Sequence, residues 1–197
     1  MTERTATTAR LTSAPSCRQM PPAATAAVVT GLVLLLGGCV MQSTYNTMLA
    51  QQQAIEHSLQ SEINADQVKI EQLENGIRVR MTSDLLFPEG GVELSQKGRA
   101  ALDKVAPTLA SGTYTIDVVG NTDNLPIGPG LVERYPTNWE LAGARAAVVV
   151  RYLQAQSVDP SRMQAISAGE YHPVASNATP EGRTQNRRTD ILLRPSS

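Results

Sequence analysis

The hydrophobic pattern changes sharply near residue 76 of the chain. From about Thr44 to Glu74 the sequence is rich in Gln, Glu, Ala and Leu and has neither Pro nor Gly, which predicts one continuous helix. The apolar residues of this segment fit a heptad repeat, which Asp66 interrupts. They are Leu59, Ile63, Ile70, Leu73 and Ile77. This pattern fits either a short coiled coil, which would join two copies into a homodimer, or a single polar spacer helix.

Beyond Gly76 the apolar residues recur at every second position, which is typical of a half-buried strand, and helical and strand-like patterns then alternate. Thr137 and Glu140 have the spacing of a capping box, which predicts a helix beginning at Asn138. The predicted elements are a strand 77–82, a helix between Ser95 and Ser111, a strand Tyr114–Val119, a helix Asn138–Gln156, a strand Gln164–Ala168, a short helix Thr179–Gln185 and a strand Thr189–Arg194. This β-α-β-α-β-(α)-β order predicts an α/β (α+β) two-layer sandwich, with a mixed sheet and helices on one face, preceded by the long helical spacer.

The N-terminal region has the pattern of a secretory signal. An apolar run, Ala23 to Leu36, follows three arginines and ends in Gly37-Gly38-Cys39. This ending resembles the bacterial lipobox, in which the cysteine becomes the first mature residue and carries acyl chains such as palmitate. The sequence therefore predicts a signal peptide 1–38, a lipid anchor and spacer 39–76, and a globular domain 77–197. The alternative is an uncleaved helix over Ala23 to Met41, which is about long enough to span a membrane.

Composition excludes several classes of function. The formal net charge is −1 and there is no basic run, so a nucleic-acid partner is not expected. The two histidines, His57 and His172, lie far apart with no cysteine after Cys39, so no metal site is expected. The sequence has neither a nucleophile elbow nor a phosphate-binding glycine loop. We therefore expect a protein that is not an enzyme and needs no cofactor.

One acid and one arginine stand out as candidate ligand-binding residues. Asp123 follows a predicted strand, and Arg145 lies about two turns into the next helix. A carboxylate and a guanidinium at the mouth of one strand–helix connection can hold the ammonium and the carboxylate of a zwitterionic ligand. The alternative is that they pair with each other or with loop backbone. Arg187 or Arg188, just before the last strand, is expected to pair with an acid such as Asp123 or Asp117, whereas Trp139 is expected to be a packing anchor.

The sequence around these residues resembles the OmpA-like peptidoglycan-binding domain, in the version found in MotB-like proteins. The resemblance covers Ile77 to Pro195, and its clearest blocks are 120–127, 135–142, 144–146, 169–170, 173–177 and 182–188. It implies that Asp123 takes the ammonium and Arg145 the carboxylate of diaminopimelate in the peptidoglycan stem peptide. The breaker-rich loop from Leu125 to Tyr135 is typical of the MotB-like version.

The same resemblance assigns further residues to the site. Phe87 and Leu141 would line the pocket, Thr122 and Asn186 would support it, and Arg187 would lie beside it. Asn121 stands where the family often has His, and Ala142 stands where it often has Ser. Asn can still donate and accept hydrogen bonds, whereas Ala142 loses one supporting hydroxyl.

The predicted function is a non-catalytic tether. Cys39 would anchor the chain by lipid to the periplasmic side of the outer membrane, and the domain would bind peptidoglycan. Val40 is not the Asp that resembles an inner-membrane retention signal. The alternatives are a stator subunit of an ion-driven flagellar-type motor, or an accessory that anchors a larger envelope complex to the wall. A stator needs an ionisable group in its membrane helix, and there is no Asp, Glu, Lys, Arg or His from Pro21 to Gln42.

Overall fold

A computed structural model of the protein describes residues 46–195. The signal-peptide and Cys39 predictions lie outside this part of the chain. The helices are α1 (46–58), α2 (Gln60–Asn64), α3 (Ser83–Leu86), α4 (Gln96–Ser111), α5 (Pro129–Val132), α6 (Asn138–Ala155) and α7 (Pro180–Asn186), with a 3-10 turn at Pro160–Arg162. The strands are β1 (Val68–Leu73), β2 (Gly76–Thr82), β3 (Tyr114–Asn121), β4 (Met163–Gly169) and β5 (Arg188–Pro195).

The five strands form one mixed sheet in the order β1-β2-β5-β3-β4. Strands β3 and β4 run parallel and are joined through α6, whereas the other neighbouring pairs are antiparallel. Elements β2 to β5, with α4, α6 and α7 between them, follow the predicted β-α-β-α-β-(α)-β order. The predicted fold class is confirmed, with β1 as an additional edge strand.

The predicted continuous helix to Glu74 is wrong for its last third. Asp66 adopts a left-handed φ of 55°, and residues 68–73 form β1, which pairs with β2. Lys69 and Glu71 lie on the open face of the sheet, where Glu71 accepts hydrogen bonds from Arg78 at 3.0 Å and Arg80 at 3.3 Å. Cross-strand pairing therefore overrides helix propensity, which is only a weak prior.

The remaining helical part, α1 and α2, is not a free spacer within the described residues. Ile55 and Leu59 have no solvent exposure, and both belong to the same core as the sheet and α4. The heptad of Leu59, Ile70 and Ile77 does not form a coiled coil, because Ile70 and Ile77 lie in strands. The folded unit therefore begins upstream of the predicted boundary at Ile77.

The core lies between one face of the sheet and the helices. Val79, Ile191 and Val118 are adjacent across three strands and are at most 2% exposed. Helix α6 lies so close to β3 that a Cβ on Gly120 would be 2.1 Å from the carbonyl oxygen of Ala142. A glycine is therefore required there, and this close approach fixes α6 beside the C-terminal end of β3. None of the helices in residues 46–195 is both long enough and apolar enough to cross a membrane.

Candidate functional site

A cavity of about 530 Å³ opens between α3, the loop that follows it, and α6. The loop supplies Phe87, Pro88, Glu89 and Gly90. Helix α4 fixes this loop, because Ser95 both caps α4 at Gly98 and donates a hydrogen bond to the carbonyl of Leu85 at 2.7 Å. The loop is therefore held from both ends, and it forms a preformed wall. The full lining is Ser83, Asp84, Phe87, Pro88, Glu89, Gly90, Arg145 and Arg187.

Arg145 lies on the opposite wall, in the second turn of α6. Its Nε and Nη2 donate to the carbonyl of Gly91 at 3.1 and 2.9 Å, and its guanidinium lies over the Phe87 ring, 5.1 Å from the ring centroid. Burial lowers the pKa of Arg145, and the nearby cation of Arg187 lowers it further, whereas Asp84 and Asp123 oppose this shift. A buried cation held by one neutral carbonyl favours a carboxylate partner.

Asp123 is also buried, but it pairs with Arg187 rather than with Arg145. Arg187 Nη1 is 2.9 Å from Asp123 Oδ2, while Asp123 Oδ1 accepts a hydrogen bond from the backbone of Leu125 at 3.1 Å. The prediction that an arginine before the last strand pairs with Asp123 is confirmed. Of the two predicted ligand-binding residues, only Arg145 lines the cavity directly, and Asp123 lies behind Arg187.

The cavity contains two acids that the sequence analysis missed. Asp84 lies 3.8 Å from Arg187 with its side chain 62% exposed, and Glu89 is exposed on the loop. Both acids are within five residues of Phe87, a predicted pocket residue, and this closeness in sequence was the one signal that could have indicated them. With Arg145 and Arg187, they give the cavity two cations and two anions, an arrangement that suits a zwitterionic ligand.

Two other predicted site residues, Asn186 and Asn121, are buried and do not line the cavity. Asn186 is fully buried and holds the loop at Val174, Ala175 and Asn177 through four hydrogen bonds. Asn186 therefore cannot contact a ligand directly. Asn121 is buried and donates to the carbonyl of Val119 at 3.2 Å.

Thr122 and Leu141 also lie beneath the surface of the site. The backbone of Thr122 donates to Gly169 at 2.9 Å, while its buried hydroxyl has no hydrogen-bond partner within residues 46–195. Leu141 is 7% exposed, on the buried side of α6. Neither lines the cavity, although Thr122 directly precedes Asp123 and Leu141 lies one helical turn before Arg145.

The start of α6 is fixed by the predicted capping box. Thr137 Oγ1 accepts a hydrogen bond from Trp139 N at 3.2 Å, and Thr137 N donates to the Glu140 carboxylate at 2.9 Å. The hydroxyl of Thr137 also donates to that carboxylate, and this bond lowers the pKa of Glu140. Because Arg145 lies about two turns beyond this cap, the cap sets its position along the cavity wall.

Fold and site together define an α/β domain with a cavity that is lined by charged side chains beside α6. The chain belongs to the OmpA family, whose model matches residues 86–187. Outer membrane protein A of Bordetella avium is 38% identical over 117 residues, which cover 59% of this chain and 57% of that protein. Peptidoglycan-binding protein ArfA of Mycobacterium tuberculosis is 32% identical over 122 residues, which cover 61% of this chain and 35% of that protein. The match therefore spans only part of each relative.

Solved structures show the same fold. The cell wall anchor of the T6SS from Pseudomonas aeruginosa is similar with a TM-score of 0.66 and 32% identity, over 72% of this chain and 97% of that one. The periplasmic domain of Helicobacter pylori MotB is similar with a TM-score of 0.59 and 26% identity, over 66% of this chain and 80% of that one. The predicted resemblance to OmpA-like and MotB-like domains is confirmed.

Proposed function

We propose that this protein binds peptidoglycan without catalysing a reaction, and that its cavity holds the diaminopimelate side group of the stem peptide. The observation that carries the proposal is the cavity itself, in which two guanidinium groups and two carboxylates surround about 530 Å³ of space. The side group of diaminopimelate carries an ammonium and a carboxylate on one carbon. It therefore needs opposite charges a few ångströms apart, and relatives named for cell-wall binding support this ligand.

Arg145 is the group best placed to receive the ligand carboxylate. Its Nε and Nη2 are used by Gly91, whereas Nη1 has no acceptor within residues 46–195. Stacking on Phe87 holds the guanidinium plane in place. A carboxylate that enters the cavity would complete the hydrogen bonds of a cation that is already oriented, so little ordering entropy is lost.

The ligand ammonium would reach Asp123 by displacing Arg187. Arg187 bonds Asp123 at 2.9 Å and lies 3.8 Å from Asp84, so a small side-chain movement transfers it from one acid to the other. Asp84 is the more exposed acid, and water already solvates part of its charge. The exchange would leave Asp123 paired with the ligand and Arg187 paired with Asp84. Every charge would then keep a partner, which buried charges require.

A binding assay with purified cell-wall sacculi tests this proposal. The full-length wild-type protein should sediment with sacculi that contain diaminopimelate, and Asp123→Ala combined with Arg145→Ala should abolish the binding. Arg151→Ala combined with Glu93→Ala is the matched control, since both residues are exposed and lie outside the cavity. Equal sedimentation of wild type and the Asp123/Arg145 variant would contradict the proposed site.

We further propose that acyl chains on Cys39 anchor the protein to the outer membrane, facing the periplasm. The sequence pattern that ends at Cys39 supports this anchor, and the similarity to an outer membrane protein agrees with an envelope location. Two or more acyl chains are needed for stable insertion. Mass spectrometry of the mature N-terminus should find a lipid-modified Cys39, whereas an intact leader would contradict this anchor.

Anchoring of a larger envelope assembly is a second candidate function. It is favoured by the similarity to the cell wall anchor of the T6SS, which covers 97% of that chain. A motor stator is less well supported despite the MotB likeness, because Pro21 to Gln42 has no Asp, Glu, Lys, Arg or His to carry a proton. Association of two copies through α1 remains a prediction and would have to use the face of α1 that does not contain Ile55. Light scattering on the purified protein would measure the number of copies.

A further inference from the structure

We infer that the stacked rings of Trp139 and Tyr171 form a second binding site, one that takes a sugar ring. The ring centroids are 5.2 Å apart and the ring planes differ by 25°. Trp139 is 45% exposed and Tyr171 62% exposed. Trp139, predicted as a packing anchor, packs against Tyr171 and Gly169 but leaves nearly half of its surface exposed. Contiguous exposed apolar groups of this kind mark interaction sites.

The fold holds these two rings in a fixed position. Gly169 has a left-handed φ of 54°, and a Cβ at that position would lie 3.3 Å from the ring of Trp139. Ser167 donates a hydrogen bond to the backbone carbonyl of Trp139 at 2.7 Å, and Asn138 donates one to the Glu170 carboxylate at 2.5 Å. The end of β4 and the first turn of α6 thus present the ring pair as a preorganised surface.

The chemistry beside the rings matches a pyranose. A groove of about 260 Å³ runs along them, and its lining includes the apolar residues Pro126 and Ile127 and the polar residues Thr137 and Glu170. A pyranose has an apolar face of C–H groups that packs on an aromatic ring, and hydroxyl or acetamido groups at its edge that hydrogen-bond to carboxylates and hydroxyls. The groove is at the small end of ligand sites, which favours one sugar ring over a segment of another protein.

The groove is connected to the charged cavity by a short run of hydrogen bonds. Leu125 donates from its backbone to Asp123 at 3.1 Å, and its carbonyl accepts from Asn138 at 3.1 Å. Asn138 in turn bonds Glu170 in the groove. This inference rests on the proposed function, because peptidoglycan carries its stem peptides on a strand of N-acetylated pyranoses. The rings would hold that strand while the cavity holds the stem peptide, and two linked contacts strengthen each other.

Fluorescence tests the inference directly, because Trp139 is the single tryptophan of the chain. The full-length protein, in a detergent without a sugar head group, is titrated with the β-1,4-linked trimer of N-acetylglucosamine. We expect a saturable change in Trp139 emission, and about tenfold weaker binding for Tyr171→Ala, which keeps the reporter. Val174→Ala is the control, since Val174 is also exposed but lies outside the groove.

A parallel titration with a free stem peptide separates this site from the charged cavity. Arg145→Ala should lose the peptide and keep the sugar response, because Arg145 bonds Gly91 and has no part in the hydrogen bonds that lead to the groove. Sugar binding without peptide binding in the wild type would support the aromatic site and contradict the proposed function. Emission that does not respond to the sugar, or an unchanged affinity in Tyr171→Ala, would overturn the inference and leave contact with another protein as the use of these rings.

Discussion

At the scale of single residues, the pair of Arg187 and Asp123 is central to the site. The Asp123 side chain is only 9% exposed, and Arg187 bonds it at 2.9 Å. Replacing Arg187 by Gln leaves a buried carboxylate without its cation, which should lower the free energy of unfolding by about 1–3 kcal/mol. Urea unfolding measures this loss, and Arg151→Gln, at an exposed position, should change the free energy by less than about 0.5 kcal/mol. A loss of equal size in both variants would contradict the role given to the ion pair.

The residue scale also shows what the sequence could predict about the site. Asp123 and Arg145 were predicted as ligand-binding residues because one follows a strand, the other follows a capping box, and the sequence around them resembles OmpA-like domains; all of these signals can be read from the sequence. Asp84 and Glu89 were missed because their role depends on packing of the α3 loop against α6, 54 or more residues away along the chain. The exposure of Trp139 was missed for the same reason, since only the three-dimensional fold determines which side of a helix remains open.

At the scale of elements, the first helices belong to the core. Leu59 has no solvent exposure and packs in the same cluster as the sheet. Leu59→Ala should therefore lower the free energy of unfolding by about 2–5 kcal/mol through lost burial and the cavity left behind. His57→Ala, at an exposed position two residues earlier at the end of α1, is the matched control. If neither Leu59→Ala nor His57→Ala changed the free energy of unfolding in a denaturant titration, that result would instead support the free spacer helix that the composition predicted.

Helix α6 gives a prediction about pH. Thr137→Ala removes the cap, which should cost about 1 kcal/mol at neutral pH. The pKa of Glu140 is lowered by its bond to Thr137, so this bond contributes stability above the ordinary pKa of a glutamate and loses it as the pH falls through the lowered value. The stability difference between wild type and variant should therefore shrink below about pH 4. Thermal unfolding at a series of pH values measures it, and a difference that grows in acid would be contrary to this account.

Strand β1 is the element that the sequence pattern failed to predict, whereas β2 and α6 were predicted well. The period-two pattern of β2 and the capping box of α6 are strong local signals, and both elements form as predicted. Strand β1 is an edge strand whose Lys69 and Glu71 face solvent or charged neighbours, so its composition is that of a polar helix. Only its pairing with β2, and the turn at Asp66, make it a strand.

At the scale of the whole molecule, the described chain has two proposed binding surfaces, and the segment from Asp123 to Asn138 joins them. The charged cavity lies on the side of α6 that faces the α3 loop, and the aromatic groove lies at the start of α6 beside the end of β4. Two neighbouring surfaces, one charged and one aromatic, suit a polymer in which charged side groups branch from an uncharged main strand. The fold class and most elements could be predicted from local patterns, whereas the cavity and the groove exist only because distant segments pack together.

The most direct test of the central claim is calorimetric titration of the full-length protein with two stem peptides. One contains diaminopimelate, and the other contains lysine, which keeps the side-chain ammonium but lacks its carboxylate. We predict that the lysine peptide binds at least about tenfold more weakly, because Arg145 then remains buried without an anion. Arg145→Ala should remove that preference. Equal affinity of the wild-type protein for both peptides would contradict a site built for a zwitterion.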